Sequence, residues 1–251
     1  MAKRLNTSVL AAGERALLKA LVERLPASAT PDHLTAIGLL GAAATAASLV
    51  ACNWSSEFLP LAPLGLFLNW FGDSLDGSLA RHRGIERPRY GFLLDHSSDL
   101  IAQSFIVVGL GLSPYFTLPS ALFVLSLYLL MSSYTYLRVA TEGVHRLSYG
   151  GLGATEFRIL VACWVVFAHW AGPGLIEARI LQFAGLDVVI GGLSAVAFVF
   201  FVFMVRNDLA QMDAEEQTSA TIYELPALRR PPAEPRPDEA PHAELQSVSV
   251  Q

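Results

Sequence analysis

The chain has 251 residues, of which 53% are hydrophobic and 16% are charged, and its mean hydropathy is +0.45. An apolar content this high, gathered in long runs, excludes an ordinary soluble domain and a wholly disordered protein. The formal net charge of −5 arises from acids concentrated in the C-terminal tail and in one internal motif, and we expect no nucleic-acid partner.

Residues 1–30 predict a cytoplasmic amphipathic helix beside the membrane. Between residues 7 and 25, leucine and valine recur at helical spacing on one face, while glutamate, lysine and arginine occupy the opposite face. Such a helix lies either in the membrane interface or against the cytoplasmic face of the protein itself, and the sequence leaves both arrangements open. Pro26 and Pro31 end the segment.

Six apolar segments follow, and each approaches the roughly 20 residues that a helix needs to cross the hydrocarbon core. These segments cover residues 34–52, 58–80, 91–112, 116–138, 156–171 and 185–205. The predicted fold is therefore an all-α integral-membrane protein, a six-transmembrane-helix bundle that forms a domain over residues 31–208.

Basic residues set the predicted orientation of the bundle. Lysine and arginine gather before the first span and around the second and fourth loops, whereas the opposite loops hold only Arg179. By the positive-inside rule, both termini and the loop after the second span lie in the cytoplasm. We expect a multi-pass protein of a bacterial inner membrane with a cytoplasmic active site.

Residues 209–251 predict a disordered tail. Prolines are concentrated between residues 226 and 241, where they alternate with alanine, glutamate and arginine. This composition does not bury enough apolar surface to form a core.

Two pairs of aspartates interrupt the second and third apolar segments. Residues 73–81 read D-S-L-D-G-S-L-A-R and residues 91–99 read G-F-L-L-D-H-S-S-D. The four acids are Asp73, Asp76, Asp95 and Asp99. The members of each pair are three or four residues apart and share one helix face. The short hairpin between the pairs makes the two helices antiparallel neighbours, so we expect all four carboxylates to converge.

The acids and their neighbours predict phosphoryl transfer. Ionised groups at membrane depth cost a few kcal/mol each, so the carboxylates need protons or metal ions. Hard oxygen ligands on rigid helices suit Mg²⁺ or Mn²⁺, with substrate phosphate completing the coordination. Gly77 and Ala80 leave room for a nucleotide, and Arg81 can present a bidentate fork to a phosphate. Metal ligands, phosphate binding and access are what phosphoryl transfer requires.

The pattern D-x-x-D-G-x-x-A-R … G-x-x-x-D-x-x-x-D resembles the signature of the CDP-alcohol phosphotransferase family at every fixed position. The resemblance implies a metal-dependent membrane phosphotransferase of phospholipid biosynthesis. Such an enzyme moves a phosphatidyl or phospho-alcohol group from a CDP-linked donor to a small alcohol acceptor and releases CMP. We expect CDP-diacylglycerol as the donor, while a CDP-amino alcohol and the identity of the acceptor stay open. The resemblance also implies a homodimer.

The same resemblance implies a role for each motif residue. The metal ligands would be Asp73, Asp76, Asp95 and Asp99. Asp99 would also be the catalytic general base that takes the proton of the acceptor hydroxyl. The residues in contact with the CDP moiety would be Gly77, Ala80 and Arg81, together with Asp32 and Thr35 of a P-[ND]-x-x-T element. For Asp32 and Thr35 the alternative is capping of the first span.

Two arginines predict a site for an acceptor phosphate. Arg138 ends the fourth span and Arg158 opens the fifth, with His145 and Arg146 in the loop between them. Together they suit a phosphorylated acceptor such as inositol phosphate or glycerol phosphate. The alternative is anchoring of the helix ends by the positive-inside rule. His96 points about 100° away from Asp95 around the helix, so we expect it to pack rather than to bind metal.

Two other classes of protein also use acids within a membrane. Prenyltransferases of the UbiA type bind a diphosphate through Mg²⁺ and aspartate-rich helices, but their two acidic motifs are far apart in sequence. Transporters gather carboxylates along cation or proton pathways. Here both aspartate pairs lie within 27 residues, and the G-x-x-A-R segment belongs to the CDP pattern.

Overall fold

A computed structural model describes the backbone of residues 3–5, 10–142, 144–146 and 153–224, and the side chains of residues 10, 12–141 and 153–217. The chain divides into two compact units, Met1–Phe200 and Phe201–Gln251. All the contacts described below lie within one unit.

Helices dominate the described residues. They are α1 (Ala11–Val22), α2 (Pro31–Ala51), α3 (Leu61–Arg83), α4 (Pro88–Gly111), α5 (Leu118–Glu142), α6 (Ala154–Ala171), α7 (Gly174–Glu177) and α8 (Gly185–Glu224). The short strands are β1 (Lys3–Leu5), β2 (Val144–Arg146), β3 (Arg179–Ile180) and β4 (Phe183–Ala184). β1 pairs with β2 in parallel, and β3 pairs with β4 in an antiparallel hairpin. Every predicted apolar segment is helical, which confirms the all-α class.

Within the described residues, four helices are long and apolar enough to cross a membrane. The membrane-length stretches are Pro31–Ala51 in α2, Leu118–Thr141 in α5, Ala154–Ala171 in α6 and Gly185–Gln217 in α8. The chain is therefore an integral-membrane protein of the helical class. α3 and α4 have membrane length but carry the aspartate pairs and basic residues, which lower their hydropathy.

The hairpin between α3 and α4 has clear stop and start signals. Gly84 follows α3 with φ of 65°, a left-handed conformation that glycine adopts without a steric penalty, and its N–H donates back to the end of the helix. Pro88 occupies the first turn of α4, where its missing N–H costs nothing. The connection between the two helices is short, and α2 packs against both α3 and α4.

α2 and α3 pack backbone against backbone through glycines. A Cβ atom added to Gly41 would lie 2.5 Å from the Asn69 nitrogen and 2.7 Å from the Gly65 oxygen. A Cβ on Gly38 would lie 3.2 Å from the Asp73 nitrogen. Any larger side chain at Gly41 would therefore separate the two helices. This contact brings the start of α2 next to the aspartates of α3.

The apolar face of α1 packs against α2 and α3. Val22 is buried in a cluster with Leu34, Leu75 and Leu79. Leu18 and Leu21 of α1 pack on the same cluster. Of the two open arrangements, α1 therefore adopts the one against the protein itself. The main core of the bundle is a separate cluster formed by α2, α3, α4, α5 and α6.

α8 extends beyond the predicted end of the domain. The prediction starts the disordered tail at residue 209, whereas the helix continues to Glu224. Residues 209–224 are rich in Ala, Glu, Gln and Met, which are good helix formers, and the first proline of the tail is Pro226. The side chain of Gln217 also donates a 2.9 Å hydrogen bond to Asp213, one turn before it. The rest of the predicted tail, 225–251, lies outside the described residues.

Candidate active site

The four motif carboxylates come together between α3 and α4. The Asp99 carboxyl is a close neighbour of the Asp73 carboxyl, and Asp95 is a near neighbour of both Asp99 and Asp76. One ligand atom each from Asp95, His96 and Asp99 lies within 4.8 Å of the others. The two sequence pairs thus form a single acidic cluster, and both pairs lie inside their helices and away from the helix ends.

Asp76 is the most buried of the four acids, and α2 holds it in place. Its side chain is buried together with that of Thr35, whose hydroxyl donates a 2.6 Å hydrogen bond to Asp76 Oδ2. The other carboxylate oxygen accepts the backbone N–H of Gly77. Thr30, not Asp32 or Thr35, caps α2, because its hydroxyl accepts the His33 N–H at 3.2 Å. Thr35 therefore serves the acidic cluster and not the helix cap.

Asp73 is paired with a buried arginine. The NH2 nitrogen of Arg158 lies 2.7 Å from Asp73 Oδ2, and the Arg158 Nε donates a 2.7 Å hydrogen bond to Asn69 Oδ1. Arg158 is only 6% exposed although it lies in the second turn of α6. Asn69 carries no sequence signal of function, since a single asparagine in an apolar segment has many structural explanations.

His96 combines packing with membership in the acidic cluster. Its ring is stacked on Tyr136 at 4.8 Å between centroids and lies 4.0 Å from the Phe92 ring. Its Nδ1 lies 3.1 Å from Asp95 Oδ2. The packing expected from the sequence is present, and the ring nitrogen also faces the carboxylates.

α5 contributes two tyrosines that the sequence analysis did not select. Tyr128 and Tyr136 are electrostatic neighbours of Asp99 and Asp73. They are eight residues apart, so they occupy one face of α5 two turns from each other. Two tyrosines at this spacing within an apolar segment are the sequence signal that would have identified these residues. The tyrosines form the wall of the acidic cluster on the α5 side.

The residues predicted to contact the CDP moiety lie at the end of α3 and the start of α2. The Arg81 guanidinium lies over Gly77, where an added Cβ would meet its NH1 nitrogen at 3.2 Å. Arg81 is exposed and donates a 3.2 Å hydrogen bond to Ser78, while Ala80 is half-buried. Asp32 forms an exposed ion pair with Arg87 of the α3–α4 hairpin.

The predicted basic patch for an acceptor is only partly described. Arg158 points to Asp73, as described above, and Arg138 is half-buried near the end of α5. The side chains of His145 and Arg146 lie outside the described residues. A common pocket for these residues therefore stays a prediction.

The acidic cluster fits a divalent cation. Four carboxylates converge, and the described ion pairs give them one arginine, Arg158, besides the His96 contact. An excess of negative charge within hydrocarbon depth is unfavourable unless cations compensate it. Clustered carboxylate oxygens are the donors that Mg²⁺ and Mn²⁺ prefer.

Aspartates clustered between the helices of a membrane protein can hold the divalent metals through which enzymes handle phosphate groups. The sequence model of the CDP-alcohol phosphatidyltransferase family matches residues 28–205, and the chain belongs to that family. This confirms the resemblance carried by the aspartate motif.

Similar proteins come from two branches of lipid synthesis. Cholinephosphotransferase 1 of Gallus gallus is 29% identical over 195 residues, which cover 72% of this chain and 57% of the relative. Cholinephosphotransferase 1 of Danio rerio is 28% identical over 204 residues, covering 74% and 52%. Phosphatidylinositol phosphate synthase of Cutibacterium acnes (strain DSM 16379 / KPA171202) is 29% identical over 189 residues, covering 68% and 87%. The chain spans about half the length of the two cholinephosphotransferases.

Proposed function

We propose that this chain is a metal-dependent membrane phosphotransferase of phospholipid biosynthesis. It moves a phosphatidyl or phospho-alcohol group from a CDP-linked donor to a hydroxyl acceptor and releases CMP. The observation that carries the proposal is the convergence of the four motif aspartates in a member of this family. The two alternatives are a UbiA-type prenyltransferase, whose acidic motifs are far apart, and a transporter, which catalyses no reaction. Neither accounts for the family match.

The acidic cluster organises the reacting groups. Asp73, Asp76, Asp95 and Asp99 would hold Mg²⁺ or Mn²⁺, one or two ions, and the metal would supply positive charge against that of the donor diphosphate and the leaving CMP. Asp99 accepts the proton of the acceptor hydroxyl as this oxygen attacks phosphorus. The contact of Asp99 with Asp73 supports this role, because it keeps the base beside the metal ligands.

The nucleotide lies at the α2 and α3 ends of the cluster. Gly77 and Ala80 leave space for it, Arg81 binds phosphate, and Asp32 and Thr35 complete this side. The hydrogen bond from Thr35 to Asp76 supports the assignment, because it joins the start of α2 to the metal ligands.

The acceptor approaches from the α5 and α6 side, where Arg138 and Arg158 attract a phosphorylated alcohol. If this is so, Arg158→Ala raises the KM for a phosphorylated acceptor with less effect on the KM for the donor. An unchanged acceptor KM would indicate that Arg158 contacts Asp73 but does not bind the acceptor. The relatives bear the names of choline and inositol phosphate transfer, so both kinds of alcohol belong in the test.

The six long helices all cross the membrane, with both termini and the acidic cluster at the cytoplasmic side of a bacterial inner membrane. A lipid donor such as CDP-diacylglycerol then keeps its acyl chains in the bilayer while its diphosphate reaches the aspartates. α1 lies at the cytoplasmic face, and two copies of the chain associate as a homodimer.

The test is release of CMP by the purified protein in lipid nanodiscs with Mg²⁺ or Mn²⁺. Each donor, CDP-diacylglycerol or CDP-choline, is paired with serine, glycerol phosphate, inositol phosphate or diacylglycerol, and the lipid product is identified by mass spectrometry. We expect CMP from one donor class and none when EDTA is present. Consumption of polyprenyl diphosphate instead of a CDP donor would assign the chain to prenyl transfer, and turnover of neither would contradict the proposal.

A further inference from the structure

The Arg158 guanidinium contacts two different residues of α3. One terminal nitrogen meets Asp73 Oδ2 at 2.7 Å, and Nε meets Asn69 Oδ1 at 2.7 Å. Asn69 and Asp73 are four residues apart, so they lie one turn apart on the same face of α3. The guanidinium therefore bridges one helical turn of α3, and its two hydrogen bonds restrict its orientation.

Asn69 is itself held from the opposite side. Its Nδ2 donates a 2.9 Å hydrogen bond to the carbonyl of Gly38 on α2, and the residue is 2% exposed. Because Nε of arginine only donates and a carbonyl only accepts, these partners leave one orientation for the Asn69 carboxamide. A chain of hydrogen bonds therefore runs from the α2 backbone through Asn69 and Arg158 to Asp73.

This arrangement suits a neutral amide and no other common side chain. An aspartate at position 69 would add a fifth acid and compete with Asp73 for Arg158, and it would have no N–H for Gly38. An apolar side chain would remove the acceptor of the buried Arg158 Nε, which is costly for a charged group, and it would break the link to the Gly38 carbonyl. The chemistry of Asn69 thus matches its two neighbours.

We propose that Asn69 is a positioning residue for the metal site, acting through Arg158 on Asp73. The proposal rests on the function proposed above, in which Asp73 is a metal ligand. Asn69 fixes the plane of the Arg158 guanidinium, and this guanidinium holds the Asp73 carboxylate beside Asp99 and Asp95. Loss of the amide frees the guanidinium to rotate, and Asp73 then loses its fixed orientation.

The first experiment measures Mn²⁺ binding to the purified full chain by electron paramagnetic resonance of the free ion, without any substrate. We expect Asn69→Leu to raise the Mn²⁺ dissociation constant at least tenfold. The matched control is Thr45→Val. It removes a buried hydroxyl from the same α2–α3 contact from which Asn69→Leu removes a buried amide. Thr45 is 0% exposed, and among the described residues its hydroxyl donates to the Gly41 and Ala62 carbonyls, away from the aspartates. We expect less than a twofold change for this control.

A second variant separates positioning from general damage to the fold. Arg158→Lys keeps the positive charge but lacks the fork, so Asn69 has no guanidinium to orient. We expect it to weaken Mn²⁺ binding to a similar extent, and we expect Asn69→Leu to add less than twofold in the Arg158→Lys background. If Asn69→Leu does not fold, Arg158→Lys alone carries the test, and wild-type Mn²⁺ affinity in that variant would overturn the proposal.

Other outcomes contradict the proposal directly. Wild-type Mn²⁺ affinity in a folded Asn69→Leu protein would show that Asn69 does not act through Arg158. The same conclusion would follow if the double variant lost affinity by the product of the two single losses. A raised acceptor KM with unchanged Mn²⁺ binding would assign the pair to the acceptor instead. Because this experiment uses no CDP substrate, a failure of the proposed transfer reaction would appear separately, as absence of CMP release with Mn²⁺ binding intact.

Discussion

The α2–α3 contact differs from the helices α5 and α8 in how much of the apolar surface is buried within the protein. In α2, 44% of the most apolar stretch is buried, against 17% in α5 and 6% in α8. α2 and α3 approach through glycines and join their polar side chains to the acidic cluster, whereas α8 exposes valine and phenylalanine along most of its length. Mean hydropathy alone does not separate the two groups, because the value for α2 is 1.9 and that for the more exposed α5 is 1.4. The helices that build the site are marked by small and polar residues.

This difference has a physical cause. Without a hydrophobic driving force between helices in lipid, close association depends on van der Waals contact and on hydrogen bonds between helices. Glycine permits the contact, and residues such as Thr35 and Asn69 supply the hydrogen bonds. A helix that serves mainly to span the bilayer needs neither.

The strongest test of the comparison removes a catalytic group from the acidic cluster that the α2–α3 contact supports. We expect Asp99→Asn to lower kcat by about a thousandfold, because a general base contributes 10²- to 10⁴-fold and the amide accepts no proton. CMP release measures turnover, and binding of a labelled CDP donor in the presence of Mg²⁺ measures the rest of the site. Donor binding should stay largely intact.

Asp187→Asn is the matched control for Asp99→Asn. Asp187 lies at the start of α8 and accepts hydrogen bonds from Thr117 and Ser120, away from the motif aspartates. We expect its substitution to leave kcat unchanged. Loss of donor binding in Asp99→Asn with retained turnover would show that the role given to Asp99 is wrong.

The next test breaks the close packing itself. We expect Gly41→Ala to destabilise the protein by about 1–3 kcal/mol, because the new methyl group would lie 2.5 Å from the Asn69 nitrogen and force the helices apart. The midpoint of thermal unfolding in detergent measures this loss. Gly192→Ala in α8 is the control, since an added Cβ there meets nothing within 4 Å. Equal midpoints for the two variants would contradict the packing described for α2 and α3.

A smaller effect should follow from one hydrogen bond between the same helices. Thr35→Val keeps the shape of the side chain but removes the donor to Asp76, a bond to a charged group worth about 1.5 kcal/mol. We expect kcat/KM for the CDP donor to fall roughly tenfold, with little change in unfolding temperature. Thr45→Val, at the same interface, should leave kcat/KM at the wild-type value. A drop of the same size in both variants would point to general loosening of α2.

The smallest expected effect concerns α1. Glu14 accepts hydrogen bonds from the Trp70 indole at 2.8 Å and from the Thr155 hydroxyl at 2.7 Å, and so ties α1 to α3 and α6. We expect Glu14→Gln to lower stability by about 1 kcal/mol while kcat stays within twofold. Thermal unfolding beside the exposed Glu23→Gln control measures the difference. An unchanged midpoint in Glu14→Gln would mean that its hydrogen bonds do not hold α1 in place.

Much of the fold was predictable because the signals for it are local. Apolar runs of membrane length predicted the helical segments, and Gly84 and Pro88 agree with the end of α3 and the start of α4. The sequence does not predict the end of α8, because residues 209–224 are good helix formers without apolar periodicity, and the helix continues through them to Glu224. Proline content indicated where helix formation becomes unfavourable, but the last helical residue lies well beyond residue 205, where the predicted apolar segment ends.

The sequence by itself determined the class of protein and the pairing of the aspartates, because spacings of three and four residues define a helix face without reference to the rest of the chain. Only the tertiary structure decided which distant groups hold those aspartates. Thr35 is 41 residues from Asp76, and Arg158 is 89 residues from Asn69. Such contacts depend on how closely two helix backbones approach and on the direction of each side chain, and no local periodicity in the sequence records either.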